Sequence, residues 1–123
     1  MQCLTHVLRL MLLMVVLIIP SVAKGAQEIV VDQLYCDSTA LMAKAGAEAK
    51  QRGESLPKWR QNLLAMKGYG VRNKDNVLYR VLPRVIEEAP DVYQWRKTPM
   101  ETYVKSFNAC MQNDFGQLVV VNY

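Results

Sequence analysis

The sequence predicts an all-α fold: a small four-helix bundle-like domain closed by one disulfide. Three observations predict it. Apolar residues recur at helical spacing in four separate segments. Glycine, proline and capping residues punctuate the chain between those segments. Cys36 lies near the start of the first segment and Cys110 near the end of the last.

Residues 1–23 read as a secretory signal peptide, and residues 24–123 as a single helical domain. Arg9 and the amino terminus precede an apolar run from Leu10 to Ile19, Pro20 breaks it, and Ser21-Val22-Ala23 supplies small residues for cleavage. The run reaches only about 15 Å as a helix, against roughly 30 Å of bilayer hydrocarbon. The competing reading is an uncleaved anchor extended by Val7, Leu8 and Val22. Cys3 precedes the run and would leave with the leader. Taking Arg9 away from 15 basic and 11 acidic residues leaves a net charge of about +3, which favours solubility and mild attraction to anions. Two cysteines remain, and an even count in an exported chain reads as one bridge, Cys36–Cys110. The alternative is a pair of buried free thiols.

The first helix spans about residues 32–52, with Gly53 as its stop. Cys36, Ala40, Ala43 and Ala47 form a narrow stripe of small residues, while Leu34, Tyr35, Leu41, Met42, Ala45 and Ala49 cover a broad arc elsewhere. A helix apolar on two faces belongs between neighbours, so it is placed at the centre. Ser55 caps the second helix, which buries Trp59, Leu63 and Met66 and ends at Gly68 and Gly70. After the turn RNKDN, the third presents Leu78, Val81, Leu82, Val85, Ile86 and Ala89; Pro83 should kink or divide it and Pro90 end it. In the fourth, Thr98 caps, Pro99 takes the first position and Glu101 completes a capping box. Its expected core arc is Met100, Tyr103, Val104, Phe107, Cys110 and Met111. Ile29-Val30-Val31 enters the first helix and Leu118-Val119-Val120-Val121 leaves the fourth, so the bridge brings two β-branched runs together as a short two-stranded ribbon.

The chemistry of the chain is narrowed by what it lacks. His6 is the one histidine and lies in the leader, which removes histidine-based nucleophilic catalysis and histidine metal or haem ligation from the mature domain. Committing both cysteines to a bridge removes thiolate chemistry, and no phosphate loop or C-x-x-C motif is present. No cofactor, metal site or catalytic residue is expected, and the chain reads as a non-enzyme. Glu87, Glu88 and Asp91 cluster in IEEAPD, but Arg84 lies three and four residues before the first two, and helical ion pairing accounts for them.

Two candidate binding regions remain. Lys58, Arg60, Lys67, Arg72, Lys74, Arg80 and Arg84 face Asp75 alone and are interleaved with Trp59, Tyr69 and Tyr79. They suit an anionic partner such as lipid headgroups, glycan or an acidic protein, or they are solvated helix faces. Nucleic acid fits an exported chain less well. The tail Leu118, Val119, Val120 and Val121 could instead add a strand to a partner's sheet.

The run C-x3-A-x2-A-x3-A from Cys36 to Ala47, followed by QRG and a second cysteine in a C-terminal helix, resembles small exported helical proteins of proteobacteria with a single disulfide. The chain is also similar in size and class to periplasmic proteins that neutralise cell-wall amidases delivered by neighbouring bacteria. No motif carries that activity, so no functional residue is transferred. The resemblance implies a periplasmic or secreted interaction protein of the inhibitor or immunity type, whose partner is another protein. The alternative is an envelope-surface module that holds anionic lipid or glycan through the Lys58–Arg84 region.

Overall fold

A computed structural model describes residues 26–70 and 76–122. The elements run β1 (Ala26–Val30), α1 (Gln33–Gln51), α2 (Leu56–Gly70), α3 (Val77–Gln94), α4 (Pro99–Asn113) and β2 (Leu118–Asn122). The proposed leader, residues 1–23, lies outside the described residues.

Local chemistry sets the helix ends. The Asp32 carboxylate accepts the Tyr35 amide at 2.8 Å to start α1, and Gly53 takes φ +82 just beyond its end, a backbone state open to glycine without strain. Ser55 Oγ accepts from Lys58 N–H at 3.3 Å, and Thr98 Oγ1 from Glu101 N–H at 3.2 Å. Thr98 therefore caps the fourth helix as the sequence predicts, with Pro99 in its first turn, while the reciprocal bond from Thr98 N–H to the Glu101 carboxylate is not formed.

Helix α1 is central. Both α3 and α4 lie along it, α2 packs mainly on α3 and meets α1 through Trp59, and α3 and α4 barely touch each other. The small-residue stripe makes this possible. Cys36, Ala40, Ala43 and Ala47 are all buried, as are Gly46 and Ala49. At Gly46 the Trp59 indole closes in so far that an added Cβ would lie 3.0 Å from Nε1. The rest of the core comes from Leu63, Val81, Leu82, Val85, Ala89 and Val92. A disulfide joins Cys36 to Cys110, with Cα atoms 5.5 Å apart.

The bridge places the flanking segments side by side, and they form an antiparallel two-stranded sheet with Val30 opposite Leu118 and Glu28 opposite Val120. Ile29, Val119 and Val121 turn inward; Val30, Leu118 and Val120 turn outward. Gly116, at φ +84, lets the chain reverse from α4 into β2, and the ladder continues through Val31 N–H to Gln117 O at 2.9 Å.

Three expectations are corrected. Pro90 does not end α3, which runs on to Gln94 without a break at Pro83 either. An interior proline costs about 3 kcal/mol. That cost is offset here because the following turn is anchored: Val92 is buried, and the Tyr93 hydroxyl donates to Glu54 O at 3.0 Å. The buried face of α4 is Thr102, Ser106 and Cys110, whereas Met100 and Val104 are exposed. The inward direction is rotated by roughly one residue's turn, about 100°, because α4 approaches a stripe that accepts only small side chains. Thr102 and Thr39 enter the interior without loss, since each hydroxyl donates at 2.9 Å to the carbonyl four residues earlier in the chain. Leu34 and Leu41 of α1 are likewise exposed.

Candidate functional site

Because α3 and α4 diverge on the surface of α1, a cleft of ≈390 Å³ lies between them. Its α3 wall carries Arg84, Glu87, Glu88, Asp91 and Trp95, which recur at three- and four-residue steps and so share one helical face. The α4 wall supplies Lys105, Ser106, Ala109 and the C-cap residue Asp114. Each end is clasped. Arg84 Nη2 meets Asp114 Oδ2 at 2.6 Å, and Lys105 Nζ lies 4.3 Å from the centre of the Trp95 ring.

Arg84 therefore pairs across the fold. Among the described residues it forms no ion pair with Glu87 or Glu88, the partners that helical spacing suggests. Burial pushes the Glu88 carboxyl above its ordinary range and Asp91 adds to that, while the Ser106 hydroxyl and the Arg84 guanidinium oppose it. Burial also raises the Tyr35 phenol, against the nearby Arg84 charge. Ser106 is 2% exposed, and its Oγ lies beside Glu88, near enough to lower that carboxyl, without completing a hydrogen bond of normal geometry. Among the described residues, no group of three His, Cys, Asp or Glu side chains could hold a metal ion.

The second candidate is the ribbon. Val30, Leu118 and Val120 are 53%, 65% and 60% exposed on one face, and neither strand pairs with a third among the described residues. Beside β1, Glu28, Val30, Asp32, Leu34, Val77 and Arg80 line a groove of ≈250 Å³.

The basic residues are distributed differently from their sequence order. Lys58 and Arg60 are exposed on α2 and Lys67 is half-buried. Nine residues of helix, about 900° of rotation, put Lys58 and Lys67 on opposite sides of α2. Arg80 faces the β1 groove and Arg84 the α3–α4 cleft. Arg72 and Lys74 lie outside the described residues. Of the tail, Leu118 and Val120 point outward, while Val121 is core.

Sequence reasoning found the acidic half of the cleft and missed Trp95, Lys105, Ser106 and Asp114. Trp95 follows Asp91 by four residues, so helical spacing is a signal that could have found it; Lys105, Ser106 and Asp114 lie on a second helix and its cap, and nothing in local spacing brings them to Glu88. Comparison with family models, curated protein sequences and solved structures finds no match for this chain.

Proposed function

We propose that this chain is an exported, non-enzymatic binding protein of the inhibitor or immunity type, acting on another protein in the periplasm or outside the cell. One observation carries the reading: a two-stranded sheet whose outer edges are unpaired among the described residues presents Val30, Leu118 and Val120, each more than half exposed, on its outer face. An open strand edge offers main-chain donors and acceptors to an incoming strand. The exposed valines and leucine give that strand apolar side chains to pack against, and burial is worth about 25 cal/mol per Å² of apolar surface. The bridge supports an oxidising compartment. No helix among the described residues is long and apolar enough to cross a membrane.

The reading is tested with the double variant Leu118→Lys and Val120→Lys. Both sites face outward, so circular dichroism should be unchanged. Wild-type protein should retain one stoichiometric partner from an envelope fraction in 0.5 M salt, on the order of several times physiological ionic strength, and the variant should lose it. Undiminished capture by the variant would contradict the ribbon as the contact. Capture that salt abolishes in both proteins would favour the anionic lipid or glycan alternative.

A further inference from the structure

We propose that the α3–α4 cleft is a binding site for a slender ligand that carries primary ammonium groups along an extended chain. The inference concerns a different surface from the ribbon and does not depend on it.

Charge is the first argument. Asp114 occupies the Arg84 guanidinium, which leaves Glu87, Glu88 and Asp91 facing the single Lys105 ammonium. The cleft is thus an anionic slot in a chain whose formal net charge is +4. An anion entering it would gain Lys105 and meet three carboxylates. Low-dielectric walls strengthen that preference relative to open solvent.

Hydrogen bonding is the second. Ser106 differs from the two buried threonines of the interior. Thr39 and Thr102 each donate within their own helix, but Ser106 Oγ completes no hydrogen bond of normal geometry despite near-complete burial. A buried polar group left unpaired is destabilising. Ionised carboxylates only accept, and the Ser106 hydroxyl has the adjacent Glu88 carboxylate to take its proton, so what the serine lone pairs and the carboxylates together lack is a donor. The complementary ligand group is therefore a donor. An ammonium brings three N–H bonds and no acceptor, enough to reach Ser106 and a neighbouring carboxylate together.

Shape is the third. From Arg84 to Trp95 the cleft follows eleven residues of helix, about 16 Å, and Glu87 and Asp91 are one turn or about 6 Å apart. The opposite wall narrows to Ser106 and Ala109, both small. A thin chain fits between these walls. Trp95 already holds an ammonium over its ring, that of Lys105 at 4.3 Å, and aromatic faces attract such cations. Lys105 is in this sense an internal competitor for the site.

Two carriers share this chemistry, a free linear polyamine and a lysine-bearing segment of a protein. Titration calorimetry of the full chain at low ionic strength, with spermidine in one arm and a Lys-Ala-Lys-Ala-Lys peptide in the other, separates them. Binding in one arm alone names the carrier, and binding in both assigns the site to the ammonium itself. The double variant Glu87→Gln and Asp91→Asn alters two exposed positions and should weaken binding by about tenfold or more. Lys105→Gln should tighten it several-fold, because the competing cation is gone and the Trp95 face is free. Absence of binding in both arms would overturn the proposal. So would affinities that neither variant changes.

Discussion

The Arg84 guanidinium and the Asp114 carboxylate meet at 2.6 Å, joining the middle of α3 to the C-cap of α4. The two helices otherwise make little contact, so this pair fixes one end of the cleft between them. Both side chains are about one-quarter exposed. Such a pair is more valuable than a fully solvated one and escapes the full desolvation penalty of a dry one. Asp114→Asn should destabilise the fold by about 1–3 kcal/mol in urea unfolding, while Glu87→Gln should change stability by less than about 0.5 kcal/mol. Equal losses would place the Arg84 partner on its own helix instead.

Removing the bridge should be the most costly single covalent change. Cys36 and Cys110 are 74 residues apart in sequence, and closing a loop of that size constrains the unfolded chain by about 4 kcal/mol. The double variant Cys36→Ser and Cys110→Ser should unfold at markedly lower urea with an increased fraction of frayed ends. The ribbon amides of Val119 and Val121 should lose hydrogen-exchange protection before those of Ala43 and Ala47.

At Gly46 the indole of Trp59 and the side chain of Val92 occupy the space that a larger residue would need. Gly46→Leu should therefore cost about 1–3 kcal/mol by overpacking. It should also alter Trp59 fluorescence. A neutral result would mean that α2 can move away from α1 freely.

The Glu88 carboxyl gives a pH dependence of definite sign. Its pKa is raised in the folded state, first by burial, so its contribution to stability is fully present below the unfolded value of about 4.3. That contribution is lost as pH rises through the folded value. Glu88→Gln should accordingly gain stability relative to wild type as pH is raised from about 4 towards neutrality. A stability difference that stays flat over that window would show that the carboxyl is not desolvated.

What could be read from residues alone divides along physical lines. Thr98, Gly53 and Ser55 act within one or two turns of chain, and each behaves as its local chemistry dictates. The bridge and the ribbon were also legible, because a compartment and an even cysteine count leave few pairings open. Pro90 was misread because proline's cost is local, while the compensation from Val92 and Tyr93 is tertiary. The face of α4 was misread because Met100 and Val104 are more apolar than Thr102 and Ser106, yet only the smaller pair fits against α1. Leu34 and Leu41 lie on the side of α1 turned away from the Cys36–Ala47 stripe, and they are exposed there. For the cleft, Glu87, Glu88 and Asp91 were visible as a cluster, but the Arg84–Asp114 pair that releases them joins positions thirty residues apart.

A covalent sulfur tie between Cys36 and Cys110 holds the first and last helices together and so sets the flanking strands side by side. Intact-mass spectrometry of native protein, alkylated without and then with reductant, measures this most directly. A chain beginning near residue 24 that takes up alkylating agent only after reduction is the predicted result. Full-length chain with Cys36 and Cys110 both alkylated before reduction would contradict it.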